Sequence, residues 1–168
     1  NPTIRFQRWP LFSSYSHQQM WHEWIRRAYD GGLRVMVALT VHGEVIAKAM
    51  HESIQPYDDA SVMEAQIKEL KAFVSRHADF MEIAYDPFDL RRIAGENKLA
   101  IIIGSETDQI GNFSRNPAIR EDADEMSKWI VSTELRHLHD DLGLRYIFPV
   151  HLTDNKFSGS AVYNPLFA

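Results

Sequence analysis

In "KLAIIIGSE" an apolar run ends on a carboxylate, Glu106, and in "LGLRYIFPVH" another ends on an imidazole, His151. Burial at the end of an apolar strand disfavours a free charge. A divalent cation removes that penalty, because it pairs with the carboxylate and takes the lone pair of a neutral imidazole. Glutamate with histidine suits zinc, manganese or iron and argues against calcium, which prefers oxygen ligands. The plainer alternative is a hydrogen-bonded glutamate and a histidine at the edge of the core. Asp154 and Asn155, just beyond His151, are candidates to orient its ring or touch a substrate, and Asp108 joins them from beyond Glu106.

The remaining histidines carry less. His42 precedes Gly43 and reads more simply as part of a turn. "HLHDD" (137–141) falls inside a helix, where positions two apart diverge, and histidines near a helix C-terminus suit its dipole. Asp122, Asp124 and Glu125 match the dipole at the other end of that helix. His17, His22, His51 and His77 lie on or beside expected helices as surface or packing residues. Other chemistries lack their motifs: there is no GxGxxG, no GxxxxGK[ST], no GxSxG and no HExxH. There is also no cysteine, which removes thiol nucleophiles, disulfides and thiolate metal sites.

Strand-end residues act together only if a scaffold gathers the strand ends. From His17 to Tyr29 apolar residues recur at helical spacing, and Gly31-Gly32 stops the helix. "LRVMVALTV" (33–41) is β-branched and apolar without helical period, as in a strand covered on both faces. Asp58 or Asp59 can cap a helix over roughly 60–77. "DFMEIAY" (79–85) is a second strand. Asp86 with Pro87 makes a good helix start. Residues 98–106 form the third and most hydrophobic strand, a helix spans about 121–141, and "LGLRYIFPV" (142–150) is the fourth strand. Apolar strands alternating with amphipathic helices imply an α/β fold with a mainly parallel sheet. Four such strands amount to about half of a (β/α)8 TIM barrel, which needs eight. The 168 residues are expected to form a single partial barrel domain, an internal or truncated segment whose remainder lies in another segment or chain.

Composition narrows the partners. Hydrophobic residues make up 45% and charged residues 24%, with a net charge of -5 and no basic block, so nucleic acid is a poor candidate. No apolar run is long enough for a membrane span and no signal peptide is visible in this segment, which leaves localisation open.

The stretches "NKLAIIIGSETDQIGNF" and "LHDDLGLRYIFPVHLTDNKFSGSA", joined by a long helix, resemble the membrane dipeptidase (renal dipeptidase-like, peptidase M19) family of amidohydrolase-type barrels. The resemblance covers roughly residues 80–160. It implies a binuclear zinc site, with manganese or iron as alternatives, and a metal-bridged hydroxide attacking a dipeptide-like amide. Glu106 matches the glutamate that bridges the two metals, and His151 matches a strand-end histidine that binds one of them. The family's His-x-Asp pair on the first barrel strand and its later histidine have no counterpart in this sequence. The expectation is a metal-dependent hydrolase of small peptides or amides, with a homo-oligomer among the outcomes left open and part of its site supplied from elsewhere. Two other outcomes stay open: a barrel hydrolase acting on a lactone or phosphoester, and a non-catalytic barrel fragment.

Overall fold

Leu99–Thr107, the most apolar run in the chain, forms the strand around which the sheet is built. The structure is a computed structural model and describes residues 22–44, 47–48, 58–120, 122–157 and 159. The aromatic stretch 1–16, the start of the first expected helix with His17, and His51 lie outside these residues. The chain divides into two compact units, residues 1–33 and 34–168. In the first, helix α1 spans His22–Asp30 and buries Ile25. It ends at Gly31-Gly32, where Gly31 N donates to Arg27 O, Gly32 N to Tyr29 O and Leu33 N to Ala28 O, closing off the orphan carbonyls.

The second unit is mixed α/β, with helices and strands alternating around a parallel sheet. Its elements are β1 (Val35–His42), α2 (Asp59–Arg76), β2 (Met81–Ile83), α3 (Pro87–Gly95), β3 (Leu99–Thr107), a 3-10 segment (Ile110–Arg115), α4 (Glu125–Arg136), a π-helical turn (His137–Asp141) and β4 (Tyr146–Phe148). On one edge β3 pairs with β1 along its length, from Val35↔Ala100 to His42↔Thr107. Its other edge is shared: β2 pairs with Leu99–Ile101 and β4 with Gly104–Glu106. β3 is thus the central strand, with β1 on one side and the two short strands β2 and β4 on the other. β2 is a three-residue strand at the start of the edge that β4 later occupies.

Side chains alternate across a sheet, so β3 has two distinct faces. One carries Ile103 into a core with Met63 and Ile67 of α2, Ile110, Phe113, Ile119, Leu138 and Leu144. On the other, Ala100 packs with Ala84 and with Ile93 of α3, but only at the start of the strand. Farther along, this second face is open. Val35, Val37, Leu39 and Val41 are 37–46% exposed, which corrects the expectation that this strand is covered on both faces. A β-branched run carries no local mark of what packs on it. At Gly104, on the open face, a Cβ would stand 2.6 Å from the end of the Leu39 side chain, so a larger residue there would have to displace it.

Two other expectations are shortened. The helix expected over 121–141 is α4, capped by Asp124 accepting from Ser127 N, followed by the π-helical turn. The strand expected over 142–150 is reduced to Tyr146–Phe148. Its first residues are spent ending the helix: Leu142 N donates to His137 O and Leu144 N to Leu138 O. Gly143 takes φ 78, a left-handed conformation suited to glycine, with the Tyr85 ring against it. Pro149 has no N–H to extend the ladder.

Candidate functional site

β3 sets Glu106. Seven of its nine residues are buried, and Glu106, next to last, emerges half-buried on the open face. His151 does not end a strand. It lies in a bend beyond β4, and its Nε2 stands 3.4 Å from Glu106 Oε1, with side chains 23% and 30% exposed. The two residues singled out by sequence therefore meet in space, across the strand pair that sets Phe148 beside Glu106.

What brings His151 there is a set of bonds around Asp108. This residue is buried, and its Oδ1 accepts from the backbone N–H of Leu152 and of Thr153. The Asn155 amide donates to Asp108 O at 2.8 Å and to Pro149 O at 2.6 Å. Farther on, Lys156 N donates to Ser114 Oγ, and its ammonium group to Asn116 O and Ile119 O. Asp154, by contrast, is exposed and lines a separate cleft of about 780 Å³ beside Phe113, Arg120 and Phe157.

The residues present suit a metal ligand pair in one respect. Two donors about 2.1 Å from one tetrahedral ion are about 3.4 Å apart, which is the spacing of Oε1 and Nε2. For Nε2 to offer a lone pair, the ring proton must sit on Nδ1, an atom that is buried and without a hydrogen-bond partner among the described residues. No group of three or more His, Asp or Glu that could hold a metal occurs among the described residues, so this pair supplies two donors.

A second carboxylate–imidazole pair was not singled out by sequence. His42 ends β1, and its Nε2 lies 3.9 Å from Asp59 Oδ1, on the face covered by α2. Asp59 is fully buried, and its Oδ2 accepts from Gln109 N at 2.7 Å. Burial pushes its pKa up, against the Gln109 hydrogen bond and the His42 charge, which pull it down. Its neighbour Asp58 is the true cap of α2, accepting from Ser61 N at 2.9 Å and from the Asn112 amide at 3.0 Å. These bonds, that from Asn112 foremost, hold the Asp58 pKa down to about 2. The adjacent acids before a helix were the available signal: one caps, and the next is turned inward. Buried Glu44 nearby is paired with Arg115 and Lys48.

The "HLHDD" histidines bond within their own turn, His137 to Asp141 at 2.7 Å and His139 to Asp140 at 2.6 Å. No family model matches the chain, and neither a curated protein nor a solved structure is detectably similar to it. Among the described residues no helix is long and apolar enough to cross a membrane.

Proposed function

We propose that Glu106 and His151 are two ligands of a divalent-metal centre, with zinc the expected ion, in a hydrolase that cleaves a dipeptide-like amide. The observation that carries this reading is their 3.4 Å approach at the end of a buried strand. The sequence resemblance to membrane dipeptidases adds to it. So does the arrangement of the sheet, with β1 and β4 parallel to β3 on either side of it and open on the face that bears Glu106. An open apolar face with a carboxylate at its C-terminal end suits the inner wall of a partial (β/α)8 barrel.

Within this site the chain's own groups have separate tasks. Glu106 has two oxygens on one rigid strand end and is able to bridge. His151 presents Nε2 toward Glu106 and would be the second donor. A bound metal pair would supply a water of lowered pKa and a polarised carbonyl, so no protein nucleophile is required. A complete centre would need further ligands, since no group of three or more His, Asp or Glu that could hold a metal occurs among the described residues.

Calorimetric titration with Zn²⁺, Mn²⁺ and Fe²⁺ tests the reading. The expected result is binding that falls at least tenfold in Glu106→Ala and in His151→Ala. A chain that binds none of these ions, or binds them equally well without Glu106, overturns it. A panel of a dipeptide, a lactone and a phosphoester, run on the metal-loaded protein, then fixes the substrate class.

A further inference from the structure

We infer that Asp108 is the positioning residue that holds His151 against Glu106. The inference rests on the metal-centre reading of that pair. The sheet by itself does not place His151. Pairing of β4 with β3 stops at Phe148↔Glu106, Pro149 has no N–H to donate, and His151 lies in the bend that follows. Holding such a segment still costs backbone entropy, so something else must fix it.

Asp108 is suited to that task. Its Oδ1 takes the N–H groups of the two residues directly after His151, Leu152 and Thr153. Its own carbonyl takes the Asn155 amide, which also ties back to Pro149 O. The bend is thereby gripped on both sides of His151. Asp108 is also two residues past Glu106, on the same chain segment. Displacement of the end of β3 therefore carries both members of the pair together and preserves their spacing.

The acceptor oxygen, rather than the charge, is what the geometry requires. Asp108→Asn keeps an acceptor and Asp108→Ala removes it. In the metal-free protein, NMR should show the Leu152 and Thr153 amides and the His151 ring shifted in Asp108→Ala and near their native positions in Asp108→Asn. Titration with Co²⁺, whose visible spectrum reports its coordination, should give roughly 10–100-fold weaker binding in Asp108→Ala, as for lost ligand-orienting partners generally. Binding in Asp108→Asn should stay within about threefold of native.

Native Co²⁺ affinity and native NMR shifts in a folded Asp108→Ala overturn the inference and leave the metal reading standing. If Asp108→Ala does not fold, Asn155→Ala takes its place, with about tenfold weaker Co²⁺ binding expected; unchanged binding and His151 shifts there overturn it too. Co²⁺ binding that survives Glu106→Gln overturns the metal reading instead, and the NMR shifts still decide whether Asp108 places His151.

Discussion

Two carboxylate–imidazole pairs emerge from adjacent positions of one strand pair. Val41 is level with Glu106, and His42 with Thr107. One residue of offset sends them to opposite faces of the sheet. Glu106 and His151 meet on the open face, both partly exposed. His42 and Asp59 meet beneath α2, with side chains 15% and 0% exposed. The residue types are nearly the same, and burial separates their chemistry. Burial shifts Asp59 toward its neutral form, and its Oδ2 serves as an acceptor joining α2 to the segment just past β3. Glu106 remains open to an incoming ligand. The comparison teaches that a carboxylate beside a histidine is not by itself a site; access decides.

Mutation can break this contrast. The largest effect is expected at the buried pair. Asp59→Ala orphans the Gln109 N–H and should cost roughly 2–3 kcal/mol in urea unfolding. Asp59→Asn keeps an acceptor and should cost less than half of that. A cost near zero for the alanine variant would remove the structural role assigned to Asp59.

The same pair makes a prediction in pH. Asp59 has a raised pKa in the fold, above its ordinary 3.8. The folded state thus holds this proton more tightly than the unfolded state. Its contribution to stability is full below 3.8 and is lost as pH rises through the raised value. Unfolding midpoints across a pH series should therefore show the native chain losing ground to Asp59→Asn as pH rises through that window. A pH-independent difference between the two would contradict the shift.

Asp58 sharpens the contrast from one residue away, with the opposite sign. Its pKa is lowered to about 2, so its contribution is present above 3.8 and is lost as pH falls toward 2. Asp58→Ala should cost about 1 kcal/mol at neutral pH, the usual worth of a helix cap. That cost should shrink in acid.

The smallest change in stability belongs to the open pair. Glu106→Ala should shift the unfolding free energy by no more than about 0.5 kcal/mol, as for a surface substitution. A loss of 2 kcal/mol or more, by the same urea measurement, would make Glu106–His151 a structural bond like its buried counterpart.

Much of this was legible in the residues. The apolar run of β3 and the Asp86-Pro87 start of α3 are local features, and the structure has both. Glu106 and His151 were found by their place after apolar runs, yet for His151 the reason differs from the one the sequence suggests. It follows a short strand and a proline, and its position comes from Asp108, 44 residues before Leu152 in the chain. The His42–Asp59 pair was not legible, because a buried acid and a capping acid are the same letter.

The sequence by itself determined the alternation of helices and strands and the carboxylate at the end of the central strand. Spacing, caps and breakers act between near neighbours, so they are written in consecutive residues. Only the tertiary structure decided that β2 and β4 share one edge of β3, that one face stays open, and which of two adjacent aspartates is buried. Those outcomes depend on segments arriving from far along the chain. Their effect is to exclude or admit water, and in this protein that separates a carboxylate locked in the scaffold from one free to bind.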